Sequence, residues 1–379
     1  MDISDYLARM KAFYSSFIKY VENETKEPEN FRDFISFVNN NQYGRNSDEL
    51  RSLLHIINKV SNHHSQRGFL KNQVQKLLIH FTDQIKQTFT NIDIFNIFKN
   101  NKSILLFLFE NELIQSDEEI VFQLLSKFGA EDSNFFYPEI KPFQTQNSGR
   151  YKLRFLKCDG IDDPDFYQKR QEGENDSYVC QLIRKGSLDE FKKYFYEQKM
   201  KSFDLIPHSI FETNLYLSNA ETSLLEYSAF CGSMEIFQFL LEDDILDPSL
   251  WIYAVKGQNI KLIELLKKNG IEPENSNYNE LFIESVKSHH NEIAKILQSN
   301  ENCIQKNQLF CFYNFEFFPS DFTNDDYETI LDLSCQYDYV TLVKILIETR
   351  KIDLQEILKR SAIFIFNFLN EILQFKNFL

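Results

Sequence analysis

Glycine and proline are both scarce in this sequence, at 10 and 8 of 379 residues. Average proteins contain about 7% glycine and about 5% proline. An all-β fold needs the tight turns that these residues form, and a nucleotide site lined by glycine needs them as well. The shortage therefore argues against both. It favours helices joined by polar turns, with 38 Phe and 18 Tyr supplying apolar surface for a core.

Positive charge is also in short supply, because 41 Lys and Arg face 56 Asp and Glu, which gives a net charge of -15. Affinity for nucleic-acid backbones depends on Lys and Arg that displace counterions, and anionic membrane surfaces attract the same residues. We therefore expect neither nucleic acid nor a membrane surface as a partner. Solubility, or steering toward a basic protein surface, is the remaining use of such a charge.

Long apolar runs are absent, since the longest cover residues 104–109 and 362–366, whereas a membrane-spanning helix needs about 20 residues. The N-terminus has two Asp before its first basic residue and lacks the apolar stretch of a secretory signal. The six cysteines form no CxxC pair, which suits a reducing compartment. These features predict a soluble, cytoplasmic protein without membrane insertion.

Recognisable catalytic motifs are missing as well. The sequence contains no GxxxxGK[ST], GxGxxG, GxSxG or HExxH pattern. The acidic run from Asp159 to Asp165 lacks the alternating spacing of a calcium loop, and the adjacent pair His63 and His64 lies in a polar turn. We therefore predict no enzyme activity, no cofactor and no metal site. An unrecognised hydrolase is kept as a remote alternative.

An internal repeat is the strongest positive signal. A turn position recurs at Gly186, Gly232, Gly257, Ser288 and Tyr337. Five residues after each turn an apolar residue begins an i, i+3, i+4 stripe, which predicts one buried face of a second helix. The stripes are Phe191/Tyr194/Phe195, Phe237/Leu240/Leu241, Leu262/Leu265/Leu266, Ile293/Ile296/Leu297 and Leu342/Ile345/Leu346.

The residues before each turn predict a first helix. An aliphatic residue stands seven positions before every turn, and the residue three positions before it is small in four cases of five, Ala229 and Ala254 among them. A small residue lets two helices lie close together, so each repeat is expected to be a helix-turn-helix hairpin covered by its neighbours. Two aromatic insertions, near 201–220 and 308–325, interrupt the array, and we expect them to pack on it.

These patterns divide the chain into five predicted regions. They are an α-helical N-terminal region (1–90), a divergent helical repeat (91–130), an irregular linker (131–175), about five repeats (176–350) and a C-terminal helical cap (351–379). The predicted fold is all-α, an α-solenoid of helix-turn-helix repeats preceded by an α-helical N-terminal region.

The repeats resemble the ankyrin family. The stretch SLLEYSAFCGSMEIFQFLLEDD, from Ser223, is similar to the ankyrin signature, with Gly232 at the turn. No repeat keeps the Pro or the His of the Thr-Pro-Leu-His start of that signature. The segments FKNNKSILLFLFE, YPEIKPF, SIFETN and PSLWIYAV together resemble a lineage-expanded family of protist ankyrin-repeat proteins that carry a domain of unknown function. The resemblance covers the chain from about residue 91 onward and implies a fold without an assigned activity.

The predicted function is accordingly a non-catalytic scaffold or adaptor that binds a protein partner. The predicted binding residues lie on or beside the expected exposed ends of first helices and are Asp243, Asp244, Lys256, Lys287 and Gln336. An alternative places the activity in the N-terminal helices, which would dock to a degradation or trafficking machine while the repeats select cargo.

Overall fold

The protein is helical throughout the part of the chain that the structure describes. This computed structural model describes residues 2–23, 27–63, 68–144, 165–242, 244–298, 304–319, 322 and 327–350. Those residues form 21 α-helices. Within them, extended backbone pairs only at an isolated bridge between Leu205 and Ser223. The all-α prediction is confirmed. The predicted cap at 351–379 lies outside the described residues.

The chain separates into two compact units. The terminal unit contains the described residues up to Lys59 and those from Ile304 onward, and the central unit is Val60–Cys303. This division differs from the predicted regions, because the first helices of the chain share a unit with the last. Helices α1 (Ile3–Glu22), α2 (Glu27–Asn40) and α3 (Ser47–His63) begin in the terminal unit, where α19 (Lys306–Phe312), α20 (Tyr327–Gln336) and α21 (Val340–Arg350) also lie.

The central unit holds the remaining helices. They are α4 (Gly68–His80), α5 (Thr82–Thr88), α6 (Asn91–Phe98), α7 (Lys102–Glu110), α8 (Glu118–Asp132), α9 (Tyr137–Gln144), α10 (Phe166–Glu172), α11 (Tyr178–Lys185), α12 (Leu188–Glu197), α13 (Leu224–Cys231), α14 (Met234–Leu241), α15 (Leu250–Lys256), α16 (Ile260–Lys268), α17 (Tyr278–Lys287) and α18 (Asn291–Leu297).

The predicted helix pairs are observed as hairpins. They are α11–α12, α13–α14, α15–α16 and α17–α18 in the central unit and α20–α21 in the terminal unit. The helices of each hairpin contact each other, and the first helices α11, α13, α15 and α17 also contact one another in chain order. All ten first-helix positions singled out in the sequence are buried, and the small residues among them are fully enclosed. Close packing of neighbouring first helices follows from their small side chains.

The turn of each hairpin repeats one backbone geometry. A residue with left-handed φ follows the first helix, and its N–H and the next N–H bond back to carbonyls three and five residues earlier, the pattern of a Schellman cap. The left-handed residues are Gly186, Gly232, Gln258, His289 and Asp338. In the last three hairpins the left-handed residue therefore lies one position after the predicted turn residue. The prediction missed it because that residue is not glycine.

Glycine is required at position 257 for a different reason from the left-handed glycines. Its φ is an ordinary -82°, but a Cβ there would lie 2.1 Å from the carbonyl oxygen of Phe230 in the preceding first helix. The backbones of neighbouring hairpins meet at this point, so only a residue without a side chain fits.

A side-chain hydrogen bond links each of three hairpins to the first helix of the hairpin before it. Asn259 Nδ2 donates to the Ala229 carbonyl at 2.9 Å, and His290 Nδ1 donates to the Val255 carbonyl at 2.7 Å. Ser233 makes the equivalent bond in the α13–α14 hairpin, to the carbonyl of α11. All three acceptors lie three residues before a left-handed residue. The stack therefore repeats a polar contact as well as an apolar one.

The apolar stripes of the second helices are largely buried, as predicted. Phe191, Phe237, Leu262, Ile293 and Leu342 are all completely enclosed. Ile296 is the exception, since 47% of it is exposed.

The predicted irregular linker contains helices where it is described. Helices α9 and α10 and a short 3-10 helix (Ser133–Phe136) all lie within residues 131–175. Arg170 of α10 is fully buried and makes two 2.8 Å bonds to Glu139 of α9. A buried guanidinium needs such a bidentate partner, so this ion pair fixes α10 to α9. The acidic run 159–164 lies outside the described residues.

In the terminal unit, the N-terminal helices pack against the last hairpin. Helix α1 contacts α21, the ring of Tyr14 lies 6.5 Å from that of Phe315, and His55 Nε2 lies 2.8 Å from the Asp338 carboxylate. Helix α19 ends at a left-handed Tyr313, and Tyr339 of the last hairpin donates to the carbonyl of Phe310 at 3.0 Å. The insertion near 308–325 thus begins as a further first helix, and four of its aromatic residues, Phe310, Tyr313, Phe315 and Phe318, are buried.

Candidate functional site

The candidate site lies at the C-terminal ends of the stacked first helices in the central unit. The residue two positions before each left-handed residue is Arg184, Phe230, Lys256 or Lys287. Each of the four is partly exposed. Because their helices contact one another in chain order, these equivalent positions form a row, which we call the first-helix row.

The insertion at residues 202–222 forms a wall beside this row. The ring of Tyr216 lies 5.5 Å from that of Tyr253 in α15, and the Lys256 ammonium lies 4.5 Å from the Tyr216 ring centroid. A cation over an aromatic face is attracted by the ring quadrupole. The prediction that this insertion packs on the helices is confirmed here, although Phe203 and Leu205 in its first part are exposed.

Polar contacts hold the wall to the loop that precedes α11. Thr213 donates from its N–H and its hydroxyl to the Gly173 carbonyl, at 3.1 and 2.7 Å. Asn175 Nδ2 donates to the Pro207 carbonyl at 2.7 Å, and Ser209 Oγ donates to the Asp176 carboxylate at 2.8 Å. These buried or half-buried bonds give the wall a defined position.

A cavity of about 300 Å³ lies between the wall and the first helices. Its lining residues are Gly173, Glu174, Arg184, Glu212, Asn214, Leu217, Tyr227, Phe230, Cys231 and Gly257. Two of these, Arg184 and Phe230, belong to the first-helix row. The cavity therefore opens onto the same surface and combines two carboxylates, a guanidinium, a phenol and a thiol with apolar walls.

Glu212 is the most perturbed acid of the cavity. Only 5% of it is exposed, and its carboxylate accepts the Asn214 N–H at 2.7 Å and the Asn175 N–H at 3.2 Å. Burial raises the pKa of Glu212 to about 7, although these N–H bonds and the Arg184 charge oppose the shift. Its ionisation therefore changes within the physiological pH range.

Arg184 forms polar contacts with several residues in and around the cavity. Its guanidinium donates to the Tyr227 hydroxyl at 2.7 Å and to the Asn175 carbonyl at 2.8 Å, and its Nε lies 2.7 Å from the Glu174 carboxylate. Burial disfavours the charged guanidinium, but Tyr227 and Glu174 outweigh burial and raise the pKa of Arg184. The residue is a fixed cation that links two neighbouring first helices.

The thiols near this cation are protonated. Burial raises the pKa of Cys180 to about 11, and burial also raises that of Cys231. A nucleophilic cysteine needs the opposite shift, so neither thiol is set up for catalysis. Cys180, Cys231, Cys311 and Cys335 are free in the described residues.

The structure separates the five predicted binding residues. Lys256 and Lys287 come together around Glu284 of α17. Asp244 accepts a 2.8 Å hydrogen bond from Ser202 at the start of the wall. Gln336 is exposed at the end of α20 in the terminal unit. Asp243 lies outside the described residues.

Lys256 differs most from its expected exposure. Only 11% of its side chain is exposed, and it forms an ion pair with Glu284. Burial lowers the pKa of Lys256. Burial alone would raise the pKa of Glu284, but the positive charges of Lys256 and Lys287 outweigh burial and lower that pKa. Through this ion pair, Lys256 links α15 to α17 of the next hairpin. Its helix end was expected to be exposed, but Tyr216 of the wall covers it.

Two large polar side chains near the row have structural roles. Trp251 is buried, and its indole N–H donates to the Ile271 carbonyl at 2.9 Å. His290 bonds to the preceding hairpin. Among the described residues, no cluster of three or more His, Cys, Asp or Glu could hold a metal ion, and no helix has the length and apolar character to cross a bilayer.

Comparison with known proteins gives no match to a family model, to a curated protein or to a solved structure.

Sequence reasoning did not find the residues that build the cavity. Glu212, Glu174 and Tyr227 come from a turn-rich segment, a loop and a first helix, and their spacing has no periodic signature. The one available signal was the aromatic insertion itself, which was singled out as an irregular feature of the array. An isolated acid within an apolar insertion is buried only if the fold supplies hydrogen-bond donors, which a sequence pattern does not reveal.

Proposed function

We propose that this chain is a non-catalytic protein-interaction scaffold of the ankyrin-repeat class, and that the first-helix row with the adjoining wall is its binding surface. The observation that carries the proposal is the row itself. Equivalent positions on successive stacked helices present Arg184, Phe230, Lys256 and Lys287 along one side of the central unit. Stacked repeats use surfaces of this kind to bind extended partners.

The recurring turn and the bond between hairpins support the class assignment. Five hairpins share the left-handed turn, and three of them share the side-chain bond to the preceding first helix. The ion pairs of the row and the protonated thiols near it fit a rigid recognition surface better than a reactive one. A fixed surface binds with little ordering cost.

Site-specific photo-crosslinking tests the proposal. A photoreactive amino acid is placed at Phe230 or Lys287 in the row, and in matched controls at Glu235 or Glu264, which are exposed on second helices. The proposal expects discrete protein adducts from the row in native cells and none from the controls. Identical adduct patterns from both sets, or no adducts from the row, would contradict it.

The alternative adaptor, with an independent N-terminal docking module, is less well supported. The first three helices share their compact unit with residues from Ile304 onward. A fragment of residues 1–90 that folds and captures a partner by itself would favour this alternative.

A further inference from the structure

A second cavity lies next to the first in the central unit. It has a volume of about 540 Å³ and is formed by α4, α7 and α10 with the loop after α10. Its charged lining residues are Lys71, Glu110, Glu172 and Glu174. Lys71 donates to the backbone carbonyl of Gln171, and all three carboxylates act on its ammonium.

Glu174 belongs to the lining of both cavities. Its carboxylate, 42% exposed, binds Arg184 of the first cavity and also acts on the Lys71 charge in the second. The two cavities therefore adjoin at the loop that carries Glu174, one beside α4 and α7 and the other beside the first-helix row. We call this pair of adjoining cavities the acidic groove.

Charge decides what the acidic groove can accept. The described residues that line it include four carboxylates, Glu110, Glu172, Glu174 and Glu212, and two cations. Carboxylates outnumber cations even when Glu212 is protonated. Glu110 and Glu172 are exposed, so their charges are available to a ligand. Phosphate groups would be repelled, whereas ammonium and guanidinium groups would be attracted.

From this arrangement we infer that the acidic groove binds an extended, lysine- or arginine-rich peptide segment of a protein partner. An extended chain places alternate side chains on one face about 7 Å apart, so successive basic residues can reach the two cavities. Apolar lining residues, Leu106 and Phe107 in one cavity and Leu217 in the other, receive the aliphatic stems of those side chains. This inference rests on the proposed function and names the partner class.

The test uses the full chain and a fluorescein-labelled dodecapeptide in which lysine alternates with serine. The groove variant is Glu110→Gln with Glu172→Gln, and the matched control is Glu235→Gln with Glu264→Gln, which removes the same charge from second helices. We expect saturable binding by fluorescence anisotropy, weakened about five- to tenfold by the groove variant and less than about twofold by the control. Circular dichroism verifies that both variants fold.

Three outcomes would overturn the inference. They are no saturable binding of the lysine peptide, equal weakening by the groove and control variants, and equal binding of a peptide with glutamine in place of lysine. Equal weakening would mean that the peptide responds only to the net charge of the chain. If the lysine peptide does not bind the acidic groove while photo-crosslinks from the first-helix row persist, the partner binds elsewhere on the row. If those crosslinks also fail, the proposed function fails with it.

Discussion

The two compact units are stabilised by contacts of very different sequence range. In the central unit, each hairpin from α11 to α18 contacts the next, and the side-chain bonds between hairpins join residues 30, 35 and 50 positions apart. In the terminal unit, α1 and α3 contact helices near the other end of the chain, and His55 and Asp338 are 283 positions apart. One unit is therefore assembled locally and the other only after a long loop closes.

This difference shows why the same hairpin motif has two roles. In the central unit a hairpin is covered by its neighbours in the sequence. In the terminal unit the α20–α21 hairpin is covered by α19 and by the N-terminal helices. Within the terminal unit, helices from the start of the chain therefore bury apolar surface of the α20–α21 hairpin that its neighbours in sequence leave open.

The largest effect is expected from separating the terminal unit. A fragment of residues 1–90 should show little helix by circular dichroism, because the partners of α1 and α3 lie beyond Ile304. Mixing it with a fragment of residues 304–379 should increase the helical signal. Cooperative unfolding of the 1–90 fragment alone would contradict the long-range account of this unit.

Gly257→Ala tests the local contacts of the central unit. The new Cβ would collide with the Phe230 backbone, so we expect a loss of about 3 kcal/mol, the upper end for overpacking. Chemical denaturation measures it. Gly270→Ala is the control, because Gly270 has a left-handed φ and open space around it, and strain alone should cost about 1 kcal/mol. Equal losses would show that the backbones of neighbouring hairpins tolerate separation.

Glu212→Gln tests the wall of the cavity. The pKa of Glu212 is raised to about 7 by burial, so its contribution to stability is complete below the unfolded value near 4.5 and is lost as pH rises through about 7. The variant should remove about 3 kcal/mol of this pH dependence, measured as unfolding free energy between pH 4.5 and 8. Glu221→Gln, exposed in the same segment, should leave the wild-type pH profile unchanged.

Asp338→Asn tests the long-range contact of the terminal unit. His55 and Arg51 outweigh the burial of Asp338 and lower its pKa, so its contribution is present above the unfolded value near 3.8 and is lost as pH falls through the lower folded value. Asparagine tolerates the left-handed backbone at this position. We expect a loss of about 1–2 kcal/mol at pH 7, since a third of the side chain is exposed.

The control for this last change is Asp332→Asn, at an exposed position of α20, the helix that precedes the turn containing Asp338. Thermal unfolding of the two variants at pH 7 and pH 3 separates the specific contact from a general charge effect. A similar loss in both variants, or a loss for Asp338→Asn that is as large at pH 3 as at pH 7, would rule out the ion-pair explanation.

Much of the fold could be predicted because its signals are local. The apolar stripe of a helix and the small residues of its neighbour lie within one hairpin, and they located five hairpins. The divergent helical repeat predicted at 91–130 contains α6 and α7. The turn register was wrong by one residue where Gln258, His289 and Asp338 adopt the left-handed conformation that glycine usually supplies. The further first helix α19 was not predicted for the same reason, because the left-handed residue at its end is Tyr313 and not glycine.

The candidate site was predictable only in outline. Lys256 and Lys287 were chosen from their place at helix ends, but their common partner Glu284 and the cover provided by Tyr216 depend on the path of the insertion. By itself, the sequence determined the helical class, the hairpins and the acidic charge, because periodicity and composition act over a few turns of chain. The tertiary structure alone decided that the N-terminal helices cover the last hairpin and that Glu212 is buried beside Arg184. Those contacts join segments whose spacing along the chain leaves no periodic trace.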